Sequence, residues 1–186
     1  MIDKPALRRA LRAKRRDFVD AMSAQERDAA QAALCDRVMT DITAGPVALY
    51  LAGGAEVDVG GAVEPLLERG IDVALPHVIG RDDLMRFLLW RPGEPLFEGT
   101  MGLIQPNPNA REVSPAVILT PLLGFDRALN RIGQGAGHYD RAFAAHPAAR
   151  RIGVAWSVQE VDALPLDPWD VPLHAVVTES EWIEAP

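Results

Sequence analysis

A glycine-rich stretch between Arg131 and Arg141 constrains this chain more than any other. Three glycines alternate in it, at Gly133, Gly135 and Gly137, and residues able to start a helix follow at once. Without a Cβ, the backbone can take left-handed conformations and bring its amides close to a ligand. Amides at a loop-to-helix junction between two arginines favour anion binding, so we expect a phosphate here.

Apolar runs along the chain alternate between strand and helix patterns. Residues 47–51 and 71–75 predict two short strands, with a helix between them that ends at Gly70. This βαβ unit implies parallel strands. Further strands are expected at 84–90, 117–123, 152–156 and, last, 174–178. The segment 91–111 is rich in Pro and Gly and is expected to be irregular. We therefore predict one α/β domain over residues 1–186, in which helices cover a mostly parallel twisted sheet.

Two helices are expected before the first strand. Asp3 can cap the first helix, on which Lys4, Arg8 and Arg12 share a face. Seven of the nineteen basic residues fall in the first sixteen positions. This segment could be a solvated helix face, a transit peptide or an anion site. The second helix is predicted to begin with a capping box at Ser23.

Composition excludes several classes of function. The net charge of −7 argues against a general nucleic-acid binder. Apolar runs are too short to span a membrane, and no hydrophobic signal region opens the sequence, so we expect a cytoplasmic protein. The single cysteine, Cys35, excludes an internal disulfide and a cysteine-based metal cluster, and it is expected to be a packed side chain.

The glycine stretch does not match the common nucleotide-binding loops. A dinucleotide fingerprint places its first glycine directly after a strand, whereas nine residues separate Leu123 from Gly133. A Walker A loop would need Gly-Lys-Ser/Thr, which is absent from the sequence. Any lysine that neutralises a polyphosphate must be Lys4 or Lys14, because the chain has no other. The first helix is therefore predicted to fold over the glycine loop.

Several segments together carry a family resemblance. Residues 122–126, Leu-Leu-Gly-Phe-Asp, and the stretch 131–141 are similar to the pattern Phe-Asp-x-x-Gly-x-Arg-Leu-Gly-x-Gly-x-Gly-Tyr-Tyr-Asp. That pattern is the signature of 5-formyltetrahydrofolate cyclo-ligases, also called methenyltetrahydrofolate synthetases. Lys4-Pro-Ala-Leu-Arg8 resembles the family's N-terminal Lys-x-x-x-Arg. The segments 50–58, 102–106 and 165–178 resemble further family elements along the whole chain.

The resemblance implies an ATP- and Mg²⁺-dependent enzyme. It would phosphorylate the formyl oxygen of 5-formyltetrahydrofolate and close the ring to 5,10-methenyltetrahydrofolate, releasing ADP and phosphate. The implied fold is an α/β domain of the CoA transferase-like type. The implied partners are the folate substrate and ATP, without nucleic acid or membrane, and the chain is expected to act as a monomer. One alternative is a non-catalytic folate- or nucleotide-binding protein on the same fold. Another is a sugar-phosphate or acyl-CoA enzyme on a related sheet.

The resemblance also assigns roles to residues. Lys4, Arg8 and Arg131 are the implied catalytic cations, and Asp140 and Asp170 the implied Mg²⁺ ligands. The implied ATP-binding residues are Lys4, Arg8, Arg131, Ile132, Gly133, Gln134, Gly135, Ala136, Gly137, His138 and Tyr139. The implied folate-binding residues are Leu51, Glu56, Met101, Gln134, Gly135, Gly137 and His138. Among these, Glu56 would meet the donor-rich edge of the pterin and Leu51 would pack on its ring.

Four departures from the family pattern are visible, one of them at Met101, which occupies a place where an aromatic residue can face the folate. Leu129 stands in the place of a turn glycine, so we expect the loop before Arg131 to take another backbone path. His138 replaces the first tyrosine of the Tyr-Tyr pair, and Gln105 replaces a glutamate. These departures concern the substrate pocket more than the phosphate site.

Each assigned residue also has an ordinary structural interpretation. Lys4 and Arg8 could be solvated, Asp140 could cap a helix, and Asp170 could serve a turn. Glu56 could start a helix, and Tyr139 could be core packing. Asp126 could reach the metal or only order its loop. An alternative metal site would pair His138 and His174 with the aspartates.

Overall fold

A seven-stranded mixed sheet dominates the architecture of the computed structural model, which describes residues 3–99 and 102–185. Within those residues the α-helices are α1 (Lys4–Asp20), α2 (Ala24–Asp41), α3 (Val63–Glu68) and α4 (His138–Ala145). The strands are β1 (Val47–Ala48), β2 (Val73–His77), β3 (Arg86–Leu89), β4 (Leu96–Glu98), β5 (Ile104–Pro106), β6 (Val117–Pro121), β7 (Gly124–Phe125), β8 (Arg131–Ile132), β9 (Arg150–Val154), β10 (Ala175–Val177) and β11 (Trp182–Glu184).

The strand order of the large sheet is β11-β10-β9-β6-β1-β2-β3. The five central strands, from β10 to β2, are parallel, and the two edge strands are antiparallel to their neighbours. This confirms the predicted α/β class and the βαβ unit, in which Val47 of β1 lies opposite Val73 of β2. The mostly parallel sheet needs cover on both faces.

Two hydrophobic clusters supply that cover. Val47 belongs to a cluster that includes Leu34 and Val38 of α2 and Leu66 of α3. Its neighbour Ala48 points to the opposite face, into a cluster that includes Phe143 of α4. Successive strand residues face opposite sides of a sheet, so α2 and α3 pack on one face and α4 packs on the other.

The two N-terminal helices begin where the sequence predicts. Ser23 Oγ accepts a hydrogen bond from Glu26 N at 3.2 Å, and Glu26 Oε2 accepts one from Ser23 N at 2.8 Å, which confirms the capping box. Asp3 is the N-cap of α1, although its side chain makes no capping bond. Cys35 is buried in α2, and this burial raises the pKa of its thiol to about 11.

Two expectations about strands are wrong. The segment expected to be irregular, 91–111, contains the hairpin β4–β5, whose connection includes Gly102 with a φ of +70°. The strand expected to be last is followed by β11, which pairs antiparallel with β10. The strands β4, β5 and β11 have three residues each, which is too short to show a periodicity in the sequence.

The turn between β7 and β8 corrects another expectation. We expected a leucine at position 129 to force a different backbone path. Leu129 instead has a φ of +64°, the left-handed conformation that a glycine favours. Asp126 stabilises it, because its Oδ1 accepts from Ala128 N and Asn130 N, each at 3.1 Å. Its Oδ2 accepts from Leu164 N at 3.0 Å. Asp126 therefore orders this loop.

A cavity lies at the carboxyl ends of the parallel strands. Tyr50 and Leu51 follow β1, Val78 follows β2 and Leu122 follows β6, and all four residues line it. Ligands of open α/β sheets bind at this edge. Among the described residues, no helix has the length and apolar character needed to cross a membrane.

Candidate active site

One cavity of about 550 Å³ collects the residues that the sequence singled out. Every assigned ATP, folate or metal residue lines it except Met101, which lies outside the described residues. The lining combines the N-terminal part of α1, the segment after β1, the glycine loop and the segment before β10.

Lys4 lies between two carboxylates at one end of the cavity. Its Nζ donates to Asp167 Oδ2 at 2.7 Å and to Asp170 Oδ2 at 2.9 Å. Burial acts to lower the pKa of Lys4, but the hydrogen bonds and charges of Asp167 and Asp170 outweigh it, so the pKa is raised. Lys4 is thus a paired cation and not a solvated one.

The first helix reaches the glycine loop, as predicted. Arg8 Nε donates to Gly133 O at 3.0 Å. One turn further along α1, Arg12 donates twice to Gln134 Oε1, at 2.9 and 2.7 Å. The helix face that carries Lys4, Arg8 and Arg12 therefore covers the loop. The basic segment contributes side chains to the candidate site and is not only a solvated helix face.

Each glycine of the loop makes room for an arginine. A Cβ on Gly133 would come within 3.2 Å of Arg131 Nη1. On Gly135 it would lie 3.3 Å from Arg8 Cζ, and on Gly137 it would lie 3.0 Å from the Nη1 of Arg141. Gly135 and Gly137 also have φ values of +105° and +70°. The glycines thus permit both the backbone path and the close approach of three guanidinium groups.

Arg131 and Asp140 form the second ion pair of the cavity. Arg131 Nη2 donates to Asp140 Oδ1 at 2.6 Å, and the same oxygen accepts from Val171 N at 3.4 Å. Gly137 is the N-cap of α4, so Asp140 lies in the first turn without acting as the cap. Arg131 Nε is buried without a hydrogen-bond partner among the described residues. A buried donor of this kind is costly unless a ligand satisfies it.

Three carboxylates line the cavity beside these cations. They belong to Asp140, Asp167 and Asp170, and Asp170 Oδ2 also accepts from the backbone N of Asp167 at 2.7 Å. Within residues 3–99 and 102–185, no three His, Cys, Asp or Glu side chains group closely enough to hold a metal on their own. A metal at this site would need ligands from another molecule.

The two histidines do not join the aspartates. His138 Nε2 lies 3.3 Å from Gly80 O, at the cavity wall. His174 Nδ1 accepts from Arg151 N at 2.9 Å, and His174 is not among the described residues that line the cavity. The alternative metal site with His138 and His174 is therefore not assembled.

Glu56 lines the same cavity from a firmly held loop. Its Oε2 accepts from Gly53 N at 3.0 Å, and its backbone is in a turn rather than at a helix start. Trp156 Nε1 donates to Ala55 O at 3.0 Å, and Tyr50 Oη donates to Val57 O at 2.6 Å. The loop thus fixes the carboxylate where Leu51, 39% exposed, offers an apolar surface.

Tyr139 packs against Phe143 and also lines the cavity. Its ring lies 6.1 Å from that of Phe143, and the Arg131 guanidinium is 5.9 Å from its centroid. Burial, the largest cause, and the charge of Glu56 raise the pKa of its phenol. Tyr139 remains a neutral hydroxyl that lines the cavity.

Gln105 has a role that a glutamate could not fill. Its Oε1 accepts from Val78 N at 2.9 Å and its Nε2 donates to Val78 O at 3.2 Å. An ionised carboxylate has no proton to donate to a carbonyl. Gln105 is buried and ties β5 to the segment after β2, so this departure fixes one wall of the cavity.

Sequence reasoning missed several residues at the site, among them Asp167, Trp169 and Arg15. Asp167 could have been found from its spacing of three before Asp170, which suits a turn that brings both carboxylates together. Trp169 lines the cavity and is 68% exposed. No motif in the neighbouring sequence indicated that it belongs to the site. Arg15 contacts Glu56 from outside the cavity, and it lies on the face of α1 that carries Arg8.

The sequence of this chain is similar to those of known proteins over most of its length. A model described as the 5-formyltetrahydrofolate cyclo-ligase family matches residues 1–179. The 5-formyltetrahydrofolate cyclo-ligase of Escherichia coli is 35% identical over 76% of this chain and 83% of its own. That of Mycolicibacterium smegmatis is 33% identical over 98% of this chain and 96% of its own.

Solved structures agree in fold. The Aquifex aeolicus 5,10-methenyltetrahydrofolate synthetase superposes with a TM-score of 0.81 at 27% identity, covering 97% of this chain and 92% of its own. A 5,10-methenyltetrahydrofolate synthetase from Mycoplasma pneumoniae gives a TM-score of 0.75 at 26% identity, covering 96% and 99%.

Proposed function

The chain belongs to the 5-formyltetrahydrofolate cyclo-ligase family, and from that premise we propose that it uses ATP and Mg²⁺ to convert 5-formyltetrahydrofolate to 5,10-methenyltetrahydrofolate. ADP and phosphate are the other products. The observation that carries the proposal is the joining, in one cavity, of a cationic phosphate end and a carboxylate end at Glu56.

The phosphate end fits a nucleotide. Lys4 and Arg8 from α1 and Arg131 from β8 line the cavity beside the glycine loop. The buried Nε of Arg131, which has no hydrogen-bond partner among the described residues, is a donor that a bound anion would satisfy. Charge-assisted hydrogen bonds from such groups are stronger than neutral ones, and bidentate arginine contacts suit phosphate oxygens.

The carboxylates fit Mg²⁺. This ion commonly uses one or two protein carboxylates and completes its shell with water and substrate phosphates. Within the described residues, the side-chain hydrogen bonds of Asp140 end on Oδ1 and those of Asp170 on Oδ2, so each has a second oxygen to offer. When bound, Mg²⁺ would neutralise part of the negative charge of the phosphates.

Entry of a nucleotide would change the partners of both ion pairs. Lys4 now neutralises Asp167 and Asp170, and Arg131 neutralises Asp140. Phosphate oxygens would draw the cations toward the nucleotide and leave these carboxylates for the metal. Each of these three carboxylates is therefore already paired with a cation in the free cavity, which avoids leaving buried ions without a partner.

The residues of the chain need only position and neutralise the reactants. In the proposed reaction, the formyl oxygen attacks the γ-phosphorus and ADP leaves with the bonding electrons. N10 then attacks the formyl carbon and gives up its proton, and the phosphorylated oxygen departs with the C–O bonding electrons as phosphate, which takes up that proton. Lys4, Arg8 and the loop amides would hold the phosphate oxygens in line for the transfer, which is the main demand of phosphoryl transfer. A nucleophilic side chain is not required.

Glu56 and Leu51 would hold the folate. An ionised carboxylate accepts hydrogen bonds only, and the pterin offers adjacent N–H donors along one edge. Leu51 would pack on the ring face. The proposal includes action as a monomer, because one chain brings both ends of the cavity together, and action in the cytoplasm, which the single buried cysteine suits.

The test is an absorbance assay for 5,10-methenyltetrahydrofolate. Purified protein is mixed with 5-formyltetrahydrofolate, ATP and Mg²⁺, and matched reactions omit ATP or contain EDTA. We expect product only in the complete mixture. Product without ATP would overturn the ATP requirement, and unchanged turnover in EDTA would overturn the metal requirement. Folate binding without product in any mixture would instead support the non-catalytic alternative.

A further inference from the structure

Arg15 is a buried cation outside the cavity. It lies on α1 and is 7% exposed, which is rare for arginine unless it is paired. Its Nη1 donates to Leu122 O at 3.4 Å, a long bond, and its Nε is buried without a partner in the described part of the chain. Backbone contacts alone therefore do not compensate its charge.

The countercharge of Arg15 is Glu56. Arg15 Nη1 lies 3.5 Å from Glu56 Oε1, and the two side chains are 9% and 15% exposed. Glu56 lines the cavity, whereas Arg15 lies behind it. A buried ion pair of this kind is costly to break, because removal of either partner leaves the other charge unpaired.

We propose that Arg15 is a positioning residue for ring recognition, acting through Glu56. Resting on the proposed function, this inference concerns the folate end of the same cavity. Arg15 holds the Glu56 side chain with Oε1 turned toward α1, while Gly53 N holds Oε2 at 3.0 Å. Both oxygens are thereby fixed, and the lone pairs that remain face a ring edge with two adjacent N–H donors.

The role of Arg15 is separable from the stability of the loop. The backbone around Glu56 is held by Trp156 Nε1 on Ala55 O at 3.0 Å and by Tyr50 Oη on Val57 O at 2.6 Å. These bonds do not involve Arg15. Loss of Arg15 is therefore expected to release the Glu56 side chain while the loop keeps its place.

Arg15 also links the two ends of the cavity through one helix. Lys4 and Arg8 contact the phosphate end from the start of α1, and Arg15 contacts the folate end two to three turns later. A substitution at Arg15 should consequently alter folate binding and spare nucleotide binding.

Isothermal titration of 5-formyltetrahydrofolate into the whole protein tests this without requiring turnover. We expect Arg15→Met to weaken folate binding about tenfold, the scale of one lost contact to a charged group, and to leave the affinity for a non-hydrolysable Mg-ATP analogue within about twofold. Arg16→Met is the matched control, because Arg16 is the exposed neighbour on α1. It should bind both ligands as the wild type does.

A double-mutant cycle separates positioning from a general structural effect. Glu56→Gln alone should weaken folate binding, and adding Arg15→Met to it should cause little further loss. Equal weakening in both backgrounds would overturn the inference, as would unchanged folate binding in Arg15→Met. If Arg15→Met does not fold, Arg15→Lys takes its place in the cycle and should bind folate more weakly than wild type, again only when Glu56 is present. A wild-type protein that binds no 5-formyltetrahydrofolate would overturn the proposed function itself.

Discussion

Lys4 is the residue at which the phosphate end can be tested most directly. We expect Lys4→Ala to raise the KM for ATP tenfold or more and to leave folate affinity within about twofold, because the ammonium would contact phosphate and is paired with Asp167 and Asp170 rather than with Glu56. Initial rates with each substrate varied in turn measure the difference. Lys14→Ala is the natural control, since Lys14 is the only other lysine and is exposed on the same helix. Equal loss for both substrates would contradict the assignment.

At Leu129, the cost of a strained backbone opposes the gain from a buried side chain. Its left-handed φ of +64° costs about 1–2 kcal/mol, whereas its buried side chain contributes about 2–5 kcal/mol. Packing is larger, so Leu129→Gly should destabilise the protein despite relieving the strain. Leu129→Ala should be less stable still, by about 1 kcal/mol, because it loses the packing and keeps the strain. Urea unfolding of the two variants and the wild type gives the order. A Leu129→Gly variant more stable than wild type would contradict it.

The sequence identified most of the residues at the site but not their partners. A motif could name Lys4, Arg131, Asp140 and Asp170, since each has a fixed place in a linear pattern. That Lys4 neutralises Asp170 depends on a fold that brings residues 166 positions apart into contact, and even the Arg131–Asp140 pair, nine positions apart, depends on the turn that the glycine loop makes between them. No linear pattern contains that information.

At the scale of elements, the glycine loop makes a further prediction. We expect Gly135→Ala to raise the KM for ATP several-fold or more, because its Cβ would displace Arg8 as well as strain a φ of +105°. Gly93→Ala is the control, with a φ of +89° and nothing within 4 Å of its Cβ. Each should lose roughly 1 kcal/mol of stability through the strain. Rates and unfolding curves together separate the two effects, and equal KM values would contradict a special role for the loop.

Element prediction succeeded where the sequence carries a specific signature. The capping box of α2 has a fixed four-residue signature and the βαβ unit has a strand–helix–strand pattern that runs from Val47 to His77, and both formed as predicted. The hairpin β4–β5 and the edge strand β11 have strands of three residues, and their pairing is decided by neighbours distant in sequence. Tertiary contacts therefore override what local propensity can indicate.

At the scale of the whole molecule, three histidines make stability depend on pH. Burial is the largest cause that lowers the pKa of His77, His146 and His174 below the ordinary value of 6.5. His77 on β2 lies opposite Arg86 of β3, whose charge lowers its pKa further, and its Nδ1 has no partner among the described residues. Protonation would bury a charged donor without an acceptor.

The sign of the effect follows from linkage. A histidine with a lowered folded pKa contributes stability that is fully present above pH 6.5 and is lost as the pH falls toward the folded value, because the unfolded chain binds the proton first. We therefore expect the free energy of unfolding in urea to fall between pH 7.5 and pH 5.5. His77→Gln should reduce that slope, since one proton-binding site of the unfolded chain is removed. A stability that stays constant or rises as the pH falls across this range would contradict the lowered pKa of these three histidines.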